Sequence, residues 1–119
     1  MRTVEGGQLS AKELALIEPD EAATFAARPS AATVGTGAHW DNPLLLLTDR
    51  RLVISKERFL GKRKADFAID WSGVETVSGE PGGSQIRLTV RTVRGNVELS
   101  VRPQHAVEVE SAIRTGYLD

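Results

Sequence analysis

Few side chains in this sequence have both the type and the spacing that chemistry needs. The two histidines, His39 and His105, stand far apart, and neither lies in a His-x-x-x-His or His-Glu-x-x-His spacing that would turn two ligands toward one metal. His105 falls at the start of a helical stretch, where a polar residue caps or meets solvent. In His39-Trp40-Asp41-Asn42 an acid–base pair is set aside because neighbours in an extended chain point apart, leaving Trp40 to pack. Asp66 and Asp70 share one strand face at a separation of roughly 13 Å, too far to work as a carboxylate pair, and read as solvent-facing charges. Gly-x-Ser-x-Gly is absent. Gly79-Glu80-Pro81-Gly82-Gly83 lacks the Lys-Ser/Thr and helix of a phosphate loop. With no cysteine there is no thiol nucleophile, disulfide framework or cysteine zinc site. The expectation is a chain that is not an enzyme, with no catalytic residue, no metal and no cofactor.

The charge pattern is more informative. The total is −1, from 15 Lys+Arg against 16 Asp+Glu, which argues against general nucleic-acid binding. Yet Arg50, Arg51, Lys56, Arg58, Lys62, Arg63 and Lys64 face Glu57 alone between positions 50 and 64, a net +6 that leaves −7 on the rest. Lys56, Arg58, Lys62, Arg63 and Lys64 are therefore the candidate residues for an anionic partner. Phe59 and Leu60 sit among them and are placed to dip into a membrane interface.

These residues must be carried by a fold, and 119 residues make one domain able to hide roughly two-thirds of its unfolded surface. The longest strongly apolar run, Leu44–Leu47, is far short of the roughly 20 residues of a spanning helix. The first residues lack the apolar stretch of a secretory signal, so the expected location is cytoplasmic. Leu9 to Ile17 reads as a short helix capped by Ser10 and stopped by Pro19. Glu21 to Arg28 reads as a strand, and Ser30 to Asn42 as an irregular connection with a short strand near Thr33. Leu44–Thr48 and Arg51–Ser55 form a hairpin about Asp49-Arg50. Lys56 to Lys64 forms a second hairpin tip. Ala65 to Trp71 alternates, with Phe67, Ile69 and Trp71 on one face. Val74–Val77 is a short strand before a turn over Gly79–Ser84. The last hairpin joins Gln85–Val93 to Asn96–Arg102 through Arg94-Gly95, pairing Val90 with Leu99, Leu88 with Val101 and Arg91 with Glu98. Pro103 to Tyr117 is an amphipathic helix with Ala106, Val109 and Ile113 as its stripe and Gly116 as its stop. The order is six or seven antiparallel strands closed by one helix, which buries its stripe in the mouth of a curled sheet.

The segment Leu44-Leu45-Leu46-Leu47-Thr48-Asp49-Arg50-Arg51-Leu52-Val53-Ile54 resembles the apolar-Thr-(Asn/Asp)-x-Arg-Leu hairpin of the bacterial pleckstrin-homology-like (PH-like) domains, relatives in shape of PH and GRAM domains. Phe67 to Val77 is similar to the strand and bend that follow in that family. The final hairpin and helix match its ending, so the resemblance covers roughly Glu21 to Tyr117. It implies a mainly β fold, a split antiparallel barrel of about seven strands capped by a C-terminal α-helix, used as a binding module. The connection from Pro29 to Asn42 is longer than that family has. The domain organisation is an N-terminal extension with a short helix over 1–20 and one PH-like domain over 21–119.

Two functions follow. The first is a module that binds another protein or its own copies through a sheet edge or barrel face. The second is peripheral attachment to anionic lipid at the inner membrane face, with each cation of the basic segment worth about 1 kcal/mol near an acidic leaflet. An RNA-binding small barrel ranks below both. Its surface needs exposed aromatics, whereas this chain has six and alternation buries Phe67 and Trp71.

Overall fold

The computed structural model describes residues 2–4, 8–35, 37–58 and 63–118. Ten strands and two helices follow in the order β1 (Arg2–Val4), α1 (Ala11–Leu14), β2 (Ala23–Ala27), β3 (Ala31–Val34), β4 (Ala38–Asp41), β5 (Leu44–Thr48), β6 (Arg51–Ser55), β7 (Phe67–Asp70), a 3-10 turn (Trp71–Gly73), β8 (Val74–Gly82), β9 (Gln85–Thr92), β10 (Gly95–Val101) and α2 (Pro103–Leu118). They form two five-stranded sheets, ordered β1-β2-β5-β6-β7 and β4-β3-β10-β9-β8. The chain is mainly β with one C-terminal helix, as the sequence implies. Its described residues form ten strands instead of about seven, in two sheets that do not close into a barrel. One pairing, β1 on β2, is parallel.

The four leucines of β5 are each at most 1% exposed, because both faces of their sheet are covered. Leu45 and Leu47 join Phe25, Leu52 and Ile54 in the core between the sheets. Leu44 and Leu46, on the opposite face, meet Ala26 and Val53 under Leu9, Leu16 and Ile17 from the segment around α1. The first 20 residues thus supply both a strand and a cover to the first sheet. The second sheet alternates: Val97, Leu99 and Val101 are buried while Asn96, Glu98 and Ser100 face outward.

α2 buries Ala106, Val109 and Ile113 as the periodicity predicts. Gly116 does not stop it, since the helix runs to Leu118. A Cβ at Gly116 would lie 2.4 Å from the Trp71 ring, so glycine here lets the helix backbone close on that indole. The indole in turn donates from Nε1 to Thr48 O at 2.8 Å. Trp71 belongs to the 3-10 turn, not to the alternating strand, which ends at Asp70.

Three further expectations are corrected. The short strand expected near Thr33 is β3, but the rest of the stretch over 30–42 is not irregular, since β4 pairs with β3 with Thr33 opposite His39 and Ala32 opposite Trp40. β8 does not stop at Val77; it continues through Pro81, which sits opposite Ile86 on the outermost strand, where a missing N–H costs no ladder bond. In the last hairpin the turn is Val93-Arg94, so Val90 pairs with Val97, Leu88 with Leu99 and Arg91 with Asn96. That register differs from the expected one by two positions, which keeps every side chain on its face.

Candidate interaction surfaces

The basic segment leaves β6 and returns at β7. Lys56 is exposed, and its N–H donates to Asp66 Oδ2 at 2.8 Å. The Arg58 guanidinium grips both oxygens of Asp66, with Nη1 2.9 Å from Oδ2. Burial pulls the Asp66 carboxyl up, but Arg58 and the Lys56 N–H outweigh it and hold it below its ordinary value. Asp66 is therefore not the solvent-facing charge the alternation suggests; its side chain is 13% exposed. Arg63 also turns inward. Its Nη1 donates to Lys56 O at 3.0 Å and Ser55 O at 3.3 Å, and its Nη2 lies 3.4 Å from Glu13 Oε2. Lys64 is exposed. Phe59, Leu60 and Lys62 lie outside the described residues. Of the five candidate cations, two arginines thus fasten the fold and two lysines face water.

The same kind of fastening recurs at two buried carboxylates. Glu13 closes a capping box with Ser10 at the start of α1 and takes both arms of Arg28, at 2.6 and 2.7 Å. These bonds, led by Arg28 and opposed by burial, pull its carboxyl down to about 2. Glu21 accepts from Arg51 at 2.7 and 3.0 Å, from Thr48 Oγ1 at 2.7 Å and from the Glu18 N–H at 3.0 Å. With Arg51 as the leading cause and burial opposing, it too lies at about 2. Carboxylates held so far from neutrality are poor proton carriers and good anchors.

A cleft of about 620 Å³ opens between the β5–β6 turn, the 3-10 turn and the end of α2. Several of its polar side chains are already engaged: Asp49 accepts from the Ala22 N–H at 3.0 Å, Arg50 pairs with Asp20 at 3.0 Å, and Trp71 donates to Thr48 O. A second cleft of about 390 Å³ brings Arg28, Arg63 and Arg102 together with Glu57, Ser30 and Asn42. His39 and His105 do not converge on a shared ligand, and among the described residues no cluster of three or more metal-ligating side chains forms. Among them, too, no helix is long and apolar enough to cross a membrane.

The sheet edges differ sharply. The outer strands are β1 and β7 in one sheet and β4 and β8 in the other. β1 is three residues long, and Arg2 ties it to Glu108 of α2. On β7, Arg94 Nη1 caps Ala68 O at 2.7 Å; on β8, Arg114 Nη2 reaches Val77 O at 3.5 Å. On β4 it is the backbone direction that matters. Asn42, left-handed at φ 49°, ends that strand, and its N–H donates to Ser30 O at 2.9 Å. Alternation along the antiparallel ladder then commits Trp40 and Ala38 to bonds with β3, and leaves the N–H and C=O of His39 and Asp41 pointing away from the sheet. The side chains of His39 and Asp41, two residues apart, share one face and meet at 3.4 Å, with exposures of 58% and 80%. The pair set aside from the sequence as pointing apart is thus real. The sequence shows this edge poorly because its strands are only four residues each and their apolar residues are mostly alanine. Gly35 and Gly37 between Thr33-Val34 and Ala38 were the available turn signal. The chain matches no protein-family model, no curated protein and no solved structure.

Proposed function

We propose that this chain is a non-enzymatic binding module of the PH-like kind that takes a protein partner by strand addition on β4. The observation that carries this reading is the contrast among the edges. The other three are short or hold a guanidinium on a backbone carbonyl, devices that block edge-to-edge pairing, whereas β4 presents the donors and acceptors of His39 and Asp41 to solvent. The β5–β6 hairpin, which carries the Leu-Thr-Asp-Arg pattern, and the closing hairpin and helix support the PH-like reading. The anionic-lipid reading loses weight because Arg58 and Arg63 are spent on Asp66, Glu13 and backbone carbonyls. RNA binding loses more, since Phe67 is buried and Trp71 is packed against the core.

Selection of a random-peptide library on the immobilised chain tests the proposal. Extended, β-forming sequences are expected to be enriched, and their binding to be lost in His39→Pro, which deletes an outward N–H that the protein does not use internally. Absence of binders, or binders indifferent to that substitution, overturns it.

A further inference from the structure

The outward groups on β4 fit a particular partner, and we infer that it is a second copy of this chain, paired antiparallel through β4 about a two-fold axis at Trp40. The inference rests on the reading of β4 as a docking edge and goes further by naming the occupant. Only residues with outward N–H and C=O can exchange hydrogen bonds across such an edge, which restricts the pairing to His39 and Asp41. Three symmetric registers use them. An axis at His39 sets histidine against histidine, and an axis at Asp41 sets carboxylate against carboxylate. The axis at Trp40 sets each His39 directly across from the other copy's Asp41, twice over, so that at both ends an imidazole stands opposite a carboxylate instead of its own kind. Because the edge is its own complement, one patch serves both copies.

This register makes four backbone hydrogen bonds, two for each His39–Asp41 pair, and brings the two Trp40 residues into the close, non-hydrogen-bonded position between them. Trp40 is half-buried against the core of its own copy, which leaves ring surface for its counterpart. The β4-containing sheets of the two copies become one continuous sheet across the axis. Inside one copy, His39 also touches Thr33 Oγ1 through Nδ1 at 3.1 Å, which orients the ring at the edge. The exposed positions of both side chains mean that replacing them leaves the core untouched.

A charge-swap measured by sedimentation velocity decides the matter. The wild-type chain is expected to sediment, over a concentration series, at twice its 12.9 kDa mass. His39→Asp places two carboxylates face to face at both ends, and Asp41→Lys removes both carboxylates and sets a bulky ammonium across from each imidazole, so each variant alone is expected to be monomeric. An equimolar mixture of the two restores a lysine–carboxylate pair at one end and the His39–Asp41 pair at the other, and is expected to recover the dimer. A dimer that survives in either variant, or a mixture that stays monomeric while both variants retain the wild-type melting curve, overturns the register. A wild-type chain that is monomeric throughout overturns the second copy as occupant. The peptide selection with His39→Pro then separates failure of this inference from failure of the strand-addition reading.

Discussion

The two sheets use charge in opposite ways. In the first, ionic side chains are internal fastenings: Glu21 is gripped by Arg51 with side-chain exposures of 2% and 14%, Glu13 by Arg28, and Asp66 by Arg58. In the second, the charges lie on a wet face. Arg87 reaches Glu80 and Glu98 with all three side chains more than 40% exposed, and His39 meets Asp41 at the open rim. The difference follows from what covers each sheet. The segment around α1 lies over the outer face of the first, so charges there are partly desolvated and persist only when paired and hydrogen-bonded. Nothing among the described residues covers the outer face of the second, and its ion pairs are screened by water. The first sheet shelters its paired charges, and the second leaves them in water.

Removing Arg51 breaks this contrast most severely. Arg51→Ala strands a nearly fully buried carboxylate with only Thr48 and the Glu18 N–H as donors, and is expected to cost about 3 kcal/mol or more in chemical denaturation. A loss under about 1 kcal/mol would show that Glu21 is wetter than its burial implies. Acid comes next. Glu13 and Glu21 are pulled from 4.5 to about 2 in the folded chain, so between those values the unfolded state binds more protons than the folded one. Their contribution is fully present above pH 4.5 and is lost as pH falls toward 2, by about 1 kcal/mol per carboxylate for each pH unit. Melts across that window should steepen accordingly, and Glu13→Gln should flatten the slope by one group. On the wet face, Arg87→Ala is expected to change stability by about 0.5 kcal/mol or less, since both its pairs are exposed. A larger loss there would erase the distinction between the sheets.

Where burial dictates residue type, the sequence was legible. The continuous apolar run of β5, the turn at Asp49-Arg50 and the stripe of α2 each appear in the structure where the pattern places them. The final hairpin shows how far alternation reaches. It sets which side chains are inside, but a shift of two positions preserves that set, so only the turn geometry at Val93-Arg94 selects the register. Glycine and proline misled where tertiary context overrode them: Pro81 lies in a strand because its position is outermost, and Gly116 lies in a helix because Trp71 needs the room. The basic segment misled in another way. Counting cations reveals a local excess but not which way a guanidinium points, and Arg58 and Arg63 point inward. An open edge is the reverse case, a property of backbone groups that leaves almost no trace in side-chain composition.

The interleaving of the sheets also bears on how the chain reaches its native state. β3 is bonded to β10 through pairs such as Ala31 with Ser100, and β1, β2, β5, β6 and β7 make up the other sheet. The β3–β4 hairpin therefore has no sheet neighbour until β10 is available. Such long-range closure slows folding, because the entropy of the intervening loop is spent before the pairing rewards it. During synthesis β4 is thus made about 60 residues before the strand that anchors its hairpin to the second sheet.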